Sequence, residues 1–443
     1  MAIPIRHAPL RVGLAGLGTV GSGVIRLIQE NSGLIARRAG REIEIVAVTA
    51  RDRTKDRGVD LSPYRWVDDM GELATAADID VVVELVGGSD GPALTLARET
   101  LSKGRALVTA NKAMVAHHGA ELASLAESKQ AALKFEAAVA GGIPVIKAIR
   151  EGLSANRINW LAGIINGTGN FILTEMREKG RAFGDVLKEA QALGYAEADP
   201  TFDVEGIDAA HKLTILASIA FGIPLQFDKA YTEGITKLTT ADVNYAEALG
   251  YRIKHLGVAR RTDAGIELRV HPTLIPADRL IANVNGVMNA VMVNGDAAGS
   301  TLFYGAGAGM EPTASSVIAD LVDVVRALTA DPTNRVPHLA FQPDSLSDHP
   351  ILPIEACESA YYLRIQAKDH PGVLAQVASI LSARGINIES IMQKEAEEQD
   401  GLVPMILVTH RVLEAQINEA ISALEALTDV VGSVVRIRVE QLN

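Results

Sequence analysis

The stretch from Gly194 to Leu213 holds a dense set of side chains whose types could do chemistry. One lysine, Lys212, follows five closely spaced carboxylates, which are Glu197, Asp199, Asp203, Glu205 and Asp208. Carboxylates can bind a substrate ammonium group, and a lysine amine can exchange a proton with a hydroxyl or carbonyl oxygen. Burial lowers the pKa of such a lysine, while neighbouring carboxylates oppose that shift. The residue types therefore indicate an acid–base site for a positively charged substrate.

A helix is expected to position these groups. From Val204 onward apolar residues recur at helical spacing, and Asp203 is expected to be the N-cap of this helix. Four residues separate Asp208 from Lys212, so the two side chains would share one helix face. The alternative interpretation is an ordinary capped helix with a weak surface ion pair. The number of neighbouring carboxylates favours the functional interpretation.

Composition limits the class of protein. The chain has 443 residues, of which 48% are hydrophobic, and this is enough for two or three domains. A net charge of -12 argues against nucleic acid as a partner. The single cysteine, Cys357, excludes an internal disulfide and fits a reducing compartment. The sequence shows no signal-peptide pattern and no apolar run of about 20 residues, so we expect a cytoplasmic protein without a membrane partner.

A nucleotide-binding motif lies near the start of the chain. A buried strand is predicted from Leu10 to Ala15, a helix follows, and the turn between them consists of Gly16, Leu17, Gly18, Thr19, Val20 and Gly21. The pattern G-x-G-x-x-G in this setting is typical of dinucleotide binding. Gly16 would form the tight turn, Gly18 would let a pyrophosphate approach the backbone, and Gly21 would let helix and strand pack closely. A purely structural glycine turn is the alternative.

The end of the next predicted strand, Glu44 to Thr49, bears on which nucleotide binds. An acidic residue near this point usually binds the free ribose 2'-hydroxyl of NAD. Arg51 is instead well placed to meet a 2'-phosphate, which favours NADP, whereas Asp52 keeps NAD possible.

Further polar residues follow the ends of two more predicted strands, Asp80 to Val86 and Ala106 to Thr109. Because the ligand crevice of a parallel sheet lies beyond the carboxyl ends of its strands, we expect four side chains there: Ser89, Thr109, Asn111 and Lys112. A solvated lysine at a helix start is the alternative for Lys112.

The rest of the chain predicts two further domains, so the fold class is α/β with an α+β part. A long helix from Pro312 to Leu328 could return to the first domain. The tail follows the order β-α-β-β-α-β, which is the ferredoxin-like arrangement. The predicted divisions are a Rossmann-type parallel-sheet domain at 1–135 plus about 311–340, an α+β domain at 136–310, a proline-marked linker at 341–354 and a ferredoxin-like domain at 355–443.

At these motifs the chain resembles monofunctional homoserine dehydrogenase with a C-terminal ACT domain, over nearly its whole length. The catalytic markers are the glycine-rich turn, Thr109-Ala110-Asn111-Lys112, the Gly-Tyr-Ala-Glu-Ala-Asp-Pro stretch from Gly194, the segment from Asp203 to Asp208, and Lys212. In the tail, Asp369-His370-Pro371-Gly372-Val373-Leu374 and Ile386-Asn387-Ile388-Glu389-Ser390-Ile391 resemble the ACT signature.

The resemblance implies interconversion of L-homoserine and L-aspartate 4-semialdehyde with NADP or NAD, in threonine, methionine and isoleucine biosynthesis. It assigns proton transfer to Lys212 and makes Lys112 a second catalytic lysine near the nicotinamide. Glu197 and Asp208 become ligands of the amino-acid substrate, with Asp203 supporting them. Two glycines, Gly194 and Gly309, would line the cofactor and substrate cleft.

The resemblance also implies a bound monovalent cation, sodium or potassium. Its ligands would be largely backbone carbonyls, at Glu136, Val139, Gly141 and Ile143. The ACT domain would bind an amino-acid effector such as threonine and mediate assembly into a homodimer or homotetramer. A chain ending near Pro350 should then stay active but lose its response to threonine.

Two other functions fit parts of the sequence. A semialdehyde dehydrogenase that oxidises the aldehyde usually needs a cysteine nucleophile, and the only cysteine, Cys357, falls at the end of the linker. A non-enzymatic regulatory protein that senses a nucleotide and an amino acid could share this fold. The lysine and its neighbouring carboxylates favour an enzyme over such a sensor.

Overall fold

The computed structural model describes residues 8–328, 336–393 and 402–442. The chain divides into two compact units. The first comprises Met1–Ile165, Ala209–Asp228 and Met288–His349, and the second comprises Asn166–Asp208, Lys229–Val287 and Pro350–Asn443. None of the helices in the described ranges has the length and apolar character that a membrane crossing requires.

The helices in these ranges are α1 (Thr19–Ala39), α2 (Glu72–Thr75), α3 (Pro92–Ser102), α4 (Lys112–Ser128), α5 (Val145–Lys147), α6 (Gly167–Lys179), α7 (Phe183–Ala192), α8 (Thr201–Val204), α9 (Ile207–Phe221), α10 (Thr240–Ala248), α11 (Met310–Ala327), α12 (Val373–Ser382) and α13 (Glu414–Glu425). The strands are β1 (Leu10–Ala15), β2 (Ile43–Thr49), β3 (Arg65–Trp66), β4 (Val81–Glu84), β5 (Ala106–Thr109), β6 (Leu133–Lys134), β7 (Ile158–Ile164), β8 (Tyr231–Thr232), β9 (Tyr251–Arg261), β10 (Ile266–Pro276), β11 (Met288–Gly295), β12 (Gly299–Ala306), β13 (Glu358–Lys368), β14 (Ile388–Gln393), β15 (Leu402–Thr409), β16 (Val412–Leu413) and β17 (Val435–Val439).

The first unit contains the predicted parallel sheet, in the order β3-β2-β1-β4-β5-β6. All four residues of β4 are buried. Val81 to Val83 form the apolar run expected in the middle of a parallel sheet, and the fourth residue is Glu84. The strand order changes direction between β1 and β4, and a ligand crevice lies beyond the carboxyl ends at such a point. The helix expected from Pro312 to Leu328 is α11, and its Val317 and Leu321 share one hydrophobic core with Val24 and Ile25 of α1.

The same unit contains a short antiparallel arrangement in the order β12-β11-β7. In β11 the residues from Val291 to Gly295 alternate between buried and partly exposed, as in an antiparallel strand with one covered face.

The second unit contains strands in the order β9-β10-β17-β13-β15-β14. The last four strands, with α12 and α13, form the predicted ferredoxin-like tail, and Tyr361, Val377 and Leu424 belong to its core. The final strand β17 also pairs in parallel with β10, with Thr273 opposite Arg438. The tail is therefore joined by backbone hydrogen bonds to the sheet of the preceding segment.

Candidate active site

The glycine-rich turn joins β1 to α1. Gly16 has a φ of +98°, and a Cβ at this position would lie 2.5 Å from Leu85 O, so this turn requires glycine. A Cβ on Gly21 would collide with Gly16 O. Nothing lies within 4 Å of a Cβ built on Gly18, the N-cap of α1, so this helix N-terminus is open to an anion. The helix begins with Thr19 and Val20.

Basic side chains crowd the loop that follows β2. Arg51 is exposed. Arg57 donates from Nε to Leu17 O at 3.0 Å, which ties this loop to the glycine-rich turn. The guanidinium groups of Arg53 and Arg57 lie 5.7 and 5.8 Å from the centre of the Trp66 ring. Sequence reasoning selected Arg51 alone, although the repeated arginines after β2 were a signal for the larger basic group.

The ends of β4 and β5 carry the polar residues expected at the crevice. Lys112 is the first residue of α4, whose N-cap Asn111 accepts a hydrogen bond from Met114 N. Ser89 donates from Oγ to Asp90 Oδ2 at 2.7 Å. Thr109 is fully buried, and its hydroxyl donates to Glu84 Oε2 at 2.6 Å. Gly309, with a φ of +122°, is the N-cap of α11 in the same unit.

Lys212 lies on α9 with only 9% of its surface exposed. Its Nζ donates to Ile165 O at 2.7 Å, just beyond the end of β7. This places a buried amine at a backbone carbonyl, where the charged form gains a hydrogen bond while burial opposes it. The neighbouring His211 lies with its Nε2 3.3 Å from His117 Nε2 on α4.

The acidic segment differs from the sequence expectation. The prediction that Asp203 is the N-cap of a helix starting at Val204 is wrong, because Asp203 lies within the short helix α8 and α9 begins at Ile207. Gly206, with a φ of +84°, separates the two helices, and a left-handed residue cannot continue a right-handed helix.

Asn166 is a residue that sequence reasoning missed, and it joins two of the carboxylates. Its Nδ2 donates to Asp203 Oδ1 at 2.8 Å and to Asp208 Oδ2 at 2.9 Å. Its Oδ1 accepts from Gly169 N at 2.7 Å and caps α6. An asparagine before a Gly-Thr-Gly run was the available signal, since Asn favours N-caps, but its contact with the acidic segment could not be read locally.

The other carboxylates of this segment take separate positions. Glu197 is exposed, and Asp199 caps the turn by accepting from Thr201 N at 3.1 Å. Glu205 accepts a hydrogen bond from Thr236 Oγ1 at 3.0 Å. Gly194 has a φ of +74° with open space around its Cβ position. The second unit thus brings Asp203 and Asp208 together through Asn166 and spreads the remaining acids.

The loop expected to bind a cation is almost wholly buried, and its backbone is unusual. Ala140 and Gly141 have φ values of +54° and +37°, and Gly141 O accepts from Ser316 Oγ at 2.6 Å. Val139 and Ile143 are buried beside them. Two consecutive left-handed residues turn successive carbonyls away from regular structure, and carbonyl oxygens are suitable donors for a hard cation. The residues present therefore fit a monovalent cation.

Glu136 of this loop carries a strongly perturbed carboxylate. Its oxygens accept from Ile146 N and Lys147 N, both at 2.9 Å, and its own N–H donates to Asp320 Oδ2 at 2.8 Å. Burial and the charge of Asp320 raise the pKa of Glu136 to about 7. A nearby cation would favour the charged form.

Cys357 does not suit nucleophilic catalysis. The thiol is buried and donates to Pro353 O at 3.6 Å. Burial raises the pKa of this thiol to about 12, whereas a thiol nucleophile reacts as the thiolate. The aldehyde-oxidising alternative therefore lacks its nucleophile.

Family models match three parts of the chain. The model described as homoserine dehydrogenase matches residues 144–322, and the model of the homoserine dehydrogenase NAD-binding domain matches residues 16–136. The ACT domain model matches residues 361–428.

Individual relatives match along nearly the whole length. A homoserine dehydrogenase from Pseudomonas aeruginosa is 76% identical over 439 residues, covering 98% of this chain and 100% of the relative. The crystal structure of a homoserine dehydrogenase from Thiobacillus denitrificans has a TM-score of 0.94 at 60% identity, covering 98% of this chain and 99% of that one. A hyperthermophilic archaeal homoserine dehydrogenase in complex with NADPH has a TM-score of 0.62 at 26% identity, covering 72% and 98%.

Proposed function

Because the chain belongs to the homoserine dehydrogenase family, we propose that Lys212 exchanges the proton in its reaction. The protein interconverts L-homoserine and L-aspartate 4-semialdehyde with a nicotinamide nucleotide, which carries the hydride. A proton must then leave or join the alcohol oxygen. The buried amine of Lys212, hydrogen-bonded to Ile165 O at 2.7 Å, is the observation that supports this role, since a lysine amine held in a fixed position can exchange a proton with an alcohol oxygen.

An assay of the purified full chain tests the proposal. Homoserine oxidation is followed by nucleotide absorbance with NADP and with NAD, each with and without threonine. Turnover in wild-type protein together with its loss in a Lys212 variant would support the assignment. A Lys212 variant that turns over at the wild-type rate would rule out the assignment.

Lys112 is proposed as a second catalytic lysine at the nicotinamide, and Glu197 and Asp208 as ligands of the substrate, with Asp203 supporting. A substrate that carries an ammonium group needs carboxylates, and Asp203 and Asp208 are held together by one amide. Gly194 is proposed to line the cofactor and substrate cleft and to contact the cofactor, because its open surroundings let a ligand approach the backbone.

The nucleotide is proposed to be NADP in preference to NAD. The arginine group after β2, with Arg51, Arg53 and Arg57, supplies planar donors suited to a 2'-phosphate. We assign the remaining cofactor contacts to Gly16, Gly18, Thr19, Val20, Gly21, Ser89, Thr109 and Gly309. Dissociation constants for NADPH and NADH, measured by nucleotide fluorescence, decide the preference.

The buried loop is proposed to hold sodium or potassium through carbonyls at Glu136, Val139, Gly141 and Ile143. Its left-handed residues and buried carboxylate support the assignment. Protein exchanged into tetramethylammonium chloride should unfold at a lower temperature than protein in potassium chloride at equal ionic strength. Equal unfolding temperatures in the two salts would rule out the proposed cation site.

Threonine is proposed as the effector of the ACT domain. A cavity of about 310 Å³ is lined by Lys368, Asp369 and Gly372, among others. The opposite charges of Lys368 and Asp369 suit a zwitterionic amino acid. Gly372 is the N-cap of α12, so the backbone N–H groups at this helix N-terminus could receive the ligand carboxylate. Titration calorimetry with threonine should show binding that Asp369→Ala weakens and the exposed control Glu419→Gln does not. Threonine binding unchanged by Asp369→Ala would exclude this cavity.

Assembly into a homodimer or homotetramer is also proposed. Tyr304 on β12 is 57% exposed, on a strand that borders the described sheet of its unit. Light scattering after size exclusion measures the assembled mass directly. The boundaries proposed from the sequence, with a nucleotide domain at 1–135 plus about 311–340, would be tested by limited proteolysis.

A further inference from the structure

The end of strand β4 carries a buried carboxylate, Glu84, which is fully excluded from solvent. Its Oε1 accepts hydrogen bonds from Val86 N at 2.7 Å and Gly87 N at 3.1 Å. Its Oε2 accepts from Thr109 Oγ1 at 2.6 Å. A buried carboxylate is costly unless it accepts several hydrogen bonds, and these three donors come from two different strand ends. Glu84 therefore joins the loop after β4 to the end of β5.

The hydrogen bonds continue from Thr109 to the helix that begins with Lys112. Thr109 Oγ1 accepts from Asn111 N at 3.0 Å. Asn111 in turn donates from Nδ2 to Gly88 O at 2.7 Å, and its Oδ1 caps α4 by accepting from Met114 N. The chain of contacts thus returns to the loop after β4 and closes a ring around the start of α4.

The loop held by Glu84 also abuts the glycine-rich turn. Leu85 N donates to Ala15 O at 2.8 Å. A Cβ on Gly16 would lie only 2.5 Å from Leu85 O, so any displacement of Leu85 is felt at the turn. The ends of β1, β4 and β5 are consequently fixed with respect to one another at the nucleotide edge of the sheet.

We infer that Glu84 is a positioning residue of the hydride-transfer site. Its carboxylate fixes the loop Leu85–Ser89 and, through Thr109 and Asn111, the helix start that carries Lys112. The inference rests on the proposed function, in which Lys112 acts at the nicotinamide. A misplacement of about 1 Å at a reacting centre can cost about 100-fold in rate, so a side chain that fixes this loop can affect the reaction without touching the substrate.

The variant Glu84→Gln tests the inference because it keeps the size of the side chain. Its amide nitrogen is a donor and cannot accept the Thr109 hydroxyl hydrogen. We expect kcat to fall by about tenfold to 100-fold and NADPH affinity, measured by nucleotide fluorescence, to weaken. The KM for homoserine should change little. Glu121→Gln, on the exposed face of α4, is the matched control and should leave these values unchanged. Wild-type kcat and NADPH affinity in Glu84→Gln would overturn the inference.

A second variant separates positioning from a general loss of structure. Thr109→Val removes the same hydrogen bond, and also the acceptor of Asn111 N, with little change of shape. Because both variants break the contact between Glu84 and Thr109, the loss of kcat in the double variant should be smaller than the product of the two single losses. Losses that multiply would overturn the inference, as would wild-type behaviour of Thr109→Val if Glu84→Gln does not fold. If the wild-type protein fails to oxidise homoserine, the proposed function is wrong. The comparison of NADPH affinity between the wild-type protein and Glu84→Gln still tests whether Glu84 positions the nucleotide site.

Discussion

Asn166 donates a 2.9 Å hydrogen bond from its amide nitrogen to Asp208 Oδ2, and the same nitrogen reaches Asp203 Oδ1. One neutral amide thus bridges these two carboxylates. If these acids bind the substrate ammonium group, the amide sets the distance between them.

Asn166→Ala should therefore raise the KM for homoserine. Hydrogen bonds to charged groups contribute about 1.5–3 kcal/mol, so a tenfold or larger rise is expected, with the KM for NADPH unchanged. Initial rates over a range of homoserine concentrations give both constants. Asn283→Ala, at an exposed asparagine, is the control. An unaltered homoserine KM in Asn166→Ala would show that the amide does not organise the substrate site.

Lys212→Met should reduce kcat by about 100-fold or more, because it removes the amine that is proposed to transfer the proton and keeps most of the apolar stem. NADPH binding should persist, since the residues proposed to bind the nucleotide are unchanged in this variant. Steady-state rates and fluorescence titration measure the two properties. Lys188→Met, whose side chain is 80% exposed, controls for loss of a lysine. Near-normal turnover of Lys212→Met would contradict the acid–base assignment.

Arg51→Ala should raise the KM for NADPH more than the KM for NADH, because only NADPH offers a 2'-phosphate to a guanidinium group. The measurement is a pair of saturation curves at fixed aspartate semialdehyde. Arg37→Ala, in the last turn of α1, is a control of equal charge change. Equal effects of Arg51→Ala on both nucleotides would argue against the phosphate contact.

The C-terminal strand should be needed for stability. Glu440 is buried and bonds both Arg269 and, at 2.7 Å, Arg260. Although burial opposes the charged form, these two arginines lower the pKa of Glu440 to about 2. Glu440→Ala should lower the free energy of unfolding by about 3 kcal/mol, because it removes one of the two carboxylates that pair with the buried guanidinium of Arg269 and leaves Glu267 as its remaining acidic partner. Glu419→Ala is the exposed control, and urea unfolding measures both.

The same contacts argue against a freely removable tail. A chain ending near Pro350 would lose β17 and Glu440, and would expose the edge of β10. We expect such a chain to lose solubility or activity, contrary to the expectation of a modular ACT domain. A soluble truncated chain with wild-type kcat would restore the modular view.

Acid should destabilise the protein partly through His255. Burial lowers the pKa of His255 to about 4 in the folded protein, and the unfolded value is about 6.5. The unfolded chain therefore binds more protons between these values, so the free energy of unfolding falls as pH drops from 6.5 to 4. In His255→Gln the decrease in the free energy of unfolding between pH 7 and pH 4.5 should be smaller by about 2–3 kcal/mol than in the wild-type protein. His410→Gln, at an exposed histidine, should leave this decrease unchanged, and an unchanged decrease in His255→Gln would refute the assignment.

Much of this protein was readable from local pattern. The glycine turn at Gly16 to Gly21, the parallel sheet, and the β-α-β-β-α-β tail depend on spacing and periodicity within short segments, because backbone conformation and one-sided burial follow from neighbouring residues. Lys212 and its acidic neighbours were likewise visible as residue types. The start of α9 at Ile207 was not predicted, because the sequence does not show that Gly206, inside a run with helical apolar spacing, has a left-handed conformation.

Tertiary packing alone decided which polar groups meet. Asn166 and Asp208 are 42 residues apart, and Glu84 and Thr109 are 25 residues apart. The pairing of β17 with β10 joins positions still more distant along the chain. No propensity or spacing rule encodes such contacts, since they arise only when separate segments bury their apolar faces against one another and bring the intervening polar groups within hydrogen-bond distance.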